Sequence, residues 1–270
     1  MGTLGTSTAL ARACHPGPTV AVTVLTALLA VSAAKPLPTV ALVTAAVGAG
    51  QLSIGWSNDL VDVGRDRRTG RPDKPIAAGR VSEVAVRRAV TVALVGCVAF
   101  SLLCGAASAA VHLLLGVAAG WAYNLGVKNT RWSPIPYAVA FGALPAVVTL
   151  AGAASRLPPA WMVLTGALLG VGAHLLNALP DLADDEATGV VGLPHRLGAE
   201  RVRRIAPLVL LVGSVVAVLG PTGSPGAPGW TALGACAGLA LLALLSHGRW
   251  PFAAAVGIAA VDVLSLVVRR

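Results

Sequence analysis

The feature that most constrains this chain is a series of apolar runs, each long enough to cross a hydrocarbon core of about 30 Å, which takes roughly 17–25 helical residues. Nine such runs can be traced, near 17–34, 39–57, 84–105, 109–126, 134–152, 159–179, 204–220, 229–246 and 251–268. Backbone groups in lipid must be satisfied within their own segment, so runs of this length are helices and not open strands. The expected class is all-α: a polytopic membrane protein forming one domain over residues 1–270, a bundle of about nine transmembrane helices. Composition agrees. At 56% hydrophobic and 11% charged residues, with mean hydropathy +0.80, the chain is too apolar for an ordinary soluble domain.

A net charge of +9 raises the question of nucleic acid, but the basic residues sit in the connections between runs and not on one polar face. No nucleic-acid partner is expected; topology accounts for the charge. With the N-terminus inside, Arg12, the eight basic residues from Arg65 to Arg88, Lys128, Arg131, the four from Arg196 to Arg204, and Arg249 are cytoplasmic. That is 16 of the 20, with Lys35, Arg156, Arg269 and Arg270 outside, the asymmetry of the positive-inside rule. The expected location is a plasma membrane, bacterial by this reading, crossed many times. Arg12 and the run ending at Ala34 resemble a secretory signal, but the run is as long as a full span and another follows at once, so it reads as the first helix. Cys14, Cys97, Cys104 and Cys236 show no metal spacing and read as small apolar packers.

Most connections are short turns containing Pro and Gly, and two are not. One carries NDLVDVGRDRRTGRPDKPIAAG from Asn58 to Gly79, the other NALPDLADDEATGVVGLPHRLGAE from Asn177 to Glu200. Together they hold nine of the 11 acidic residues, and both fall at ends of runs on the same side of the bilayer, so the two halves are weakly alike. On a helix, residues three or four apart share a face. Asn58, Asp62 and Asp66 therefore form one polar stripe, which Gln51 and Gly55 extend into the apolar run. His174, Asn177, Asp181 and Asp185 form a second.

Carboxylates crowded near lipid repel one another unless a cation neutralises them. Oxygen ligands suit a hard ion, and Mg²⁺ takes one or two carboxylates together with waters and phosphate oxygens. Two such helix ends facing each other would hold Mg²⁺ against a diphosphate, with Arg67, Arg68, Arg71, Lys74 and Lys128 near enough in sequence to supply positive charge. The substrate this suggests has a diphosphate head at the cytoplasmic mouth and a greasy tail in the bundle.

Other charged residues read more plainly. Asp59, Asp184 and Glu186 lie off the stripes and are expected in solvent or behind the ligands, and Asp73 sits in a Pro-flanked turn. Arg80, Arg87, Arg88 and the group at 201–204 read as topological anchors, and His112, His195 and His247 as structural histidines. Asp262, inside the last run, is either functional or paired with a neighbouring helix.

These residues resemble the UbiA superfamily of intramembrane prenyltransferases. The family pattern NDxxDxxxD is matched by Asn58, Asp59, Asp62 and Asp66, and DxxxD by Asp181 and Asp185, with Gly189 following. Lys74 with Pro75, Gly79 with Arg80, and Tyr123 with Lys128 are similar to the family as well, and the likeness extends over nearly the whole chain. The resemblance implies that Asn58, Asp62, Asp66, Asp181 and Asp185 bind Mg²⁺, with Asp62, Asp66, Asp181 and Asp185 serving catalysis. It further implies that Arg71, Lys74, Tyr123 and Lys128 contact the diphosphate of an isoprenyl substrate. His15 and Pro16 stand where many members carry Arg-Pro, and Pro180 where an aromatic residue is common; both departures bear on the acceptor pocket more than on the diphosphate site.

The expected reaction is ionisation of an allylic isoprenyl diphosphate and transfer of the prenyl group to an aromatic, quinone-precursor or other small lipophilic acceptor. Terpene cyclisation without an acceptor is the nearest alternative. Cyclases use aromatic faces to stabilise cations, and a total of 11 aromatics leans against that reading. A transporter is a third possibility, although transport sites lie near the bilayer midplane and these clusters lie at its edge.

Overall fold

The structure is a computed structural model describing residues 3–182 and 189–268. Its principal helices are α1 (Thr3–Ala13), α2 (Pro16–Ser32), α3 (Leu37–Arg68), α4 (Glu83–Leu103), α5 (Ala106–Leu125), α6 (Pro134–Thr149), α7 (Ala160–Ala178), α8 (Leu193–Leu197), α9 (Ala199–Leu219), α10 (Gly226–Leu245) and α11 (Trp250–Val268). No strand occurs among the described residues. Six helices, α3, α4, α5, α7, α9 and α10, are long and apolar enough to cross a membrane. The broken pair of α1 and α2, bent by 67°, adds a seventh if it counts as one span, and α6 and the Trp250–Ser265 part of α11 are shorter apolar helices. Val92, Val95, Leu114, Leu208 and Leu245 lie exposed on outer faces, as expected of side chains whose solvent is lipid.

The break between α1 and α2 falls at His15, a non-glycine residue in the left-handed region (φ 55°, ψ 68°), followed by Pro16 at the first turn of α2. At this break the Cys14 carbonyl meets α3 so closely that a Cβ on Gly55 would collide with it, and only glycine fits there. Trp56 Nε1 donates to Leu10 O at 2.9 Å and holds α1 beside α3.

Two apolar clusters frame the bundle. One joins α7 and α9–α11 through Leu176, Val202, Leu210 and Ile258, and the other joins α2, α3 and α6 through Ala30, Val43, Val47 and Val148. Lys35, in the turn between α2 and α3, reaches across to donate to the carbonyls of Thr149 (2.8 Å), Ala151 (2.7 Å) and Ala154 (3.2 Å), which satisfies orphan acceptors at and beyond the C-terminus of α6. Burial lowers its ammonium pKa.

Of most consequence is the length of α3. Its 32 residues span about 48 Å at the α-helical rise, far more than the thickness of a bilayer core. The run expected to end near residue 57 thus continues as helix to Arg68, and Asn58, Asp62 and Asp66 occupy helical turns rather than a connecting loop.

Candidate active site

A cavity of about 330 Å³ opens among α2, α3, α5, α6, α7 and α11. Asn58, Asp62, Arg65, Arg71, Lys74 and Lys128 line one end of it, and Val22, Leu25, Val47, Leu144 and Leu169 line apolar walls. Asn177 of the second polar stripe, together with Val190 and His195 from beyond it, lines the same cavity, so both motif-bearing regions border one space. Gly192 brings them together: a Cβ there would lie 2.5 Å from the Lys128 carbonyl oxygen.

Each side chain at this end is held. The Lys128 ammonium donates to both oxygens of Asp62 at 2.7 and 2.6 Å, and Arg65 Nη2 lies 3.0 Å from Asp62 Oδ2. Lys128 sits in a 3₁₀ turn, Val127–Asn129, where burial lowers its pKa and the Asp62 carboxylate opposes that shift. Asn58 Nδ2 donates to Asn124 Oδ1 at 3.0 Å, and Asn124 Nδ2 donates to Ile54 O and Ser57 Oγ, both at 2.8 Å, which ties α3 to α5. Asp66 is buried. Its Oδ1 lies 3.7 Å from Arg65 Nε, whereas Oδ2 has no hydrogen-bond partner among the described residues, and Asp66 does not line the cavity.

The sequence placed Asp59 in solvent or behind the ligands. Solvent is wrong: Asp59 is only 2% exposed. Lys74 donates to its Oδ1 at 2.8 Å, and His15 Nε2 stands 3.0 Å from the same oxygen and 3.3 Å from Lys74 Nζ. One residue along a helix turns the side chain by about 100°, which carries Asp59 off the stripe of Asn58 and toward the α1–α2 break. Arg71 donates twice to Asp73, at 2.9 and 2.8 Å, and its guanidinium holds the Asp73 carboxyl down at about 2.

Aromatic side chains concentrate on one wall. Tyr123 meets Tyr137 edge to face with centroids 5.2 Å apart, His174 packs 5.6 Å from Tyr123 and 4.8 Å from Tyr137, and Phe141 stacks on Tyr137 at 6.2 Å. Tyr123 from α5, Tyr137 and Phe141 from α6 and Phe252 from α11 all line the cavity. The total of 11 aromatics was therefore a poor guide, because what matters is where the rings converge. Nothing in one sequence marked Tyr137, Phe141 or Asn124 as cavity residues; only the crossing of α5 and α6 against α3 brings them in.

Of the five expected metal ligands, Asn58, Asp62 and Asp66 follow one another along α3, and the backbone of Asp181 forms part of a 3₁₀ turn, Leu179–Asp181. The Asp181 side chain and the whole of Asp185 lie outside the described residues, as do Asp184 and Glu186. Among the described residues no three His, Cys, Asp or Glu side chains converge as a metal site. Asp262 accepts from Ser214 Oγ at 2.9 Å and Cys236 Sγ at 3.4 Å and borders a separate apolar cavity of about 70 Å³, so it is paired with neighbouring helices.

A long helix carries an acidic stripe to the charged end of an apolar cavity, and the UbiA prenyltransferase family matches residues 19–263. The chain belongs to the UbiA prenyltransferase family. Among curated proteins none matches the sequence. Solved UbiA structures share the fold. A UbiA homolog from Aeropyrum pernix K1 superposes with TM-score 0.73 at 18% identity, covering 94% of this chain and 98% of its own. A UbiA homolog from Archaeoglobus fulgidus bound to GPP and Mg²⁺ gives 0.71 at 13% identity, covering 96% and 99%. A digeranylgeranylglyceryl phosphate synthase gives 0.64 at 14% identity, covering 97% and 98%.

Proposed function

We propose that this UbiA protein transfers the prenyl group of an allylic isoprenyl diphosphate to a small lipophilic acceptor, with Mg²⁺ at the diphosphate. The observation that carries the reading is the polarity of the cavity, with carboxylate and ammonium groups at one end and apolar and aromatic walls beyond. A diphosphate with a hydrocarbon tail has the same polarity. That the Archaeoglobus fulgidus homolog was captured with GPP and with DMAPP, each with Mg²⁺, supports it at the level of the family.

The donor set fits the ion. Asp62 and Asp66 offer oxygens one helical turn apart, and Asp66 Oδ2 is a buried carboxylate oxygen without a partner among the described residues, which is costly unless something binds it. Asn58, Asp62 and Asp66, with Asp181 and Asp185 of the second motif, would hold Mg²⁺, which when bound supplies Lewis-acid stabilisation of the leaving diphosphate. Arg71, Lys74 and Lys128 would meet the remaining phosphate oxygens, Lys74 by exchanging Asp59 for phosphate, and Tyr123 would face the reacting end of the chain. The C1–O bond breaks with its electron pair on the diphosphate, the acceptor's nucleophilic atom bonds to C1, and the proton that atom gives up passes to the departing diphosphate. The dry walls keep water from the allylic cation. We further place the charged end at the cytoplasmic face of a bacterial plasma membrane, from the charge asymmetry of the connections.

The wall of Tyr123, Tyr137 and Phe141 favours one second reading, cyclisation of the allylic cation within the chain. Incubation of purified protein with geranyl, farnesyl and geranylgeranyl diphosphates and Mg²⁺, with and without phenolic and quinone-precursor acceptors, decides. Release of diphosphate that depends on acceptor is expected; a cyclic hydrocarbon formed without acceptor would establish the cyclase instead. No consumption of any diphosphate would remove both.

A further inference from the structure

His112 lines the cavity, is 5% exposed, and begins a π-helical stretch of α5, His112–Val117. Such stretches are rare and often coincide with functional sites. Its ring is held by Ser101 on α4, whose Oγ lies 2.6 Å from the Cys97 carbonyl oxygen and 2.8 Å from His112 Nδ1. A hydroxyl has one proton. The shorter contact assigns it to the Cys97 carbonyl, so that Ser101 offers Nδ1 a lone pair, and with that assignment Nδ1 carries the imidazole hydrogen and Nε2 is a bare acceptor.

Nε2 has no hydrogen-bond partner among the described residues. Two glycines leave room for it: a Cβ on Gly50 would stand 3.2 Å from Nε2, and one on Gly116 would stand 3.2 Å from Cδ2. Beside Gly50, Gln51 lines the same cavity and its amide makes no hydrogen bond among the described residues. A hydrocarbon tail satisfies neither group. We propose that His112 Nε2, assisted by the Gln51 amide, binds a hydroxyl group of the lipophilic acceptor. This rests on the prenyl-transfer reading and specifies its second substrate.

Position and charge support the assignment. Gly50 precedes Asn58 by eight residues on one continuous helix, about 12 Å further into the bundle. With the diphosphate leaving toward the charged end, the nucleophile comes from the inner side of C1, where His112 and Gln51 are the hydrogen-bonding groups of α5 and α3. Arg65, Arg71, Lys74 and Lys128, the cations lining the cavity, are all at the outer end. A lone pair with no cation beside it repels a carboxylate and accepts from a hydroxyl, so the acceptor class is a phenol or alcohol and not an acid.

The test uses the intact protein in nanodiscs with Mg²⁺ and farnesyl thiodiphosphate as an unreactive donor, titrated with 1-naphthol and with its O-methyl ether, which cannot donate. Wild type should bind naphthol about tenfold more tightly than the ether, the worth of one hydrogen bond in a dry site. His112→Leu should abolish the preference, and His112→Gln, which retains an acceptor oxygen, should restore part of it. Gly50→Ala, whose methyl group crowds Nε2, gives an independent variant and should weaken naphthol alone. Equal binding of naphthol and ether by wild type, or an unchanged preference in His112→Leu, overturns the proposal while donor binding stands. Failure of wild type to bind the thiodiphosphate with Mg²⁺ overturns the prenyl-transfer reading itself, and this proposal with it.

Discussion

The Lys128 ammonium grips both oxygens of Asp62 at 2.7 and 2.6 Å, across 66 positions of sequence, and so joins the turn after α5 to the acidic stripe of α3. In a buried setting the ammonium and the carboxylate neutralise one another, and on the proposed reading Lys128 is the cation that meets the diphosphate. Lys128→Met should lower kcat/KM for the prenyl diphosphate about a hundredfold, the usual scale for losing one charge-stabilising donor. Asp62→Ala should abolish turnover. The double variant should lose less than the two single effects combined, because the residues share one interaction. Steady-state kinetics in detergent check this, and strict additivity would mean that the pair acts as two independent groups.

Chelation addresses the metal directly. EDTA should stop turnover and added Mg²⁺ should restore it, since the proposed ligands are all oxygens. Turnover that survives exhaustive chelation would rule the metal out of the mechanism.

Asp59 anchors the segment after α3 through Lys74, and His15 completes the cluster. Asp59→Leu leaves the Lys74 ammonium part-buried without its carboxylate and should cost about 3–5 kcal/mol. His15 tests the strain separately. His15→Val forces a β-branched side chain into the left-handed region and should destabilise by about 1–2 kcal/mol, whereas His15→Asn tolerates that backbone and should do much less harm. Thermal unfolding of the three variants measures both effects, and equal stability of the Val and Asn variants would show that the break carries no strain.

Lys35 closes the far end of the bundle with three hydrogen bonds to carbonyls at and beyond the end of α6. Lys35→Met should reduce stability by about 2 kcal/mol, the worth of a charged hydrogen-bonding group, with KM for the prenyl diphosphate unchanged because the residue does not line the cavity. An altered KM would mean that the two ends of the bundle are coupled.

Much of the fold was legible because span length is a local property. The centres of the apolar runs can be counted without knowing what packs against them, and α4, α7, α9 and α10 fall where hydropathy put them. Helix ends were harder to read. The polar turns of α3 from Asn58 to Arg68 look like a connection when judged by hydropathy, yet they hold no proline and a single glycine, Gly64, which stays helical, and the helix runs on. The spacing of Asn58, Asp62 and Asp66 on one face was equally legible, being a matter of helical period.

Pairings were not. Nothing local says that Lys74, at the edge of the cavity, pairs with Asp59, that His15 joins them, or that His112, which lines the cavity, is held by Ser101. Sequence by itself determined the membrane class, the shared face of Asn58, Asp62 and Asp66 on α3, and the family, because these depend on residue type at short fixed spacing. Which charges neutralise one another, where the aromatic rings converge and how deep a lone pair lies in the cavity depend on contacts between helices distant in sequence. Those contacts exist only once the helices have packed, and only the tertiary structure decided them.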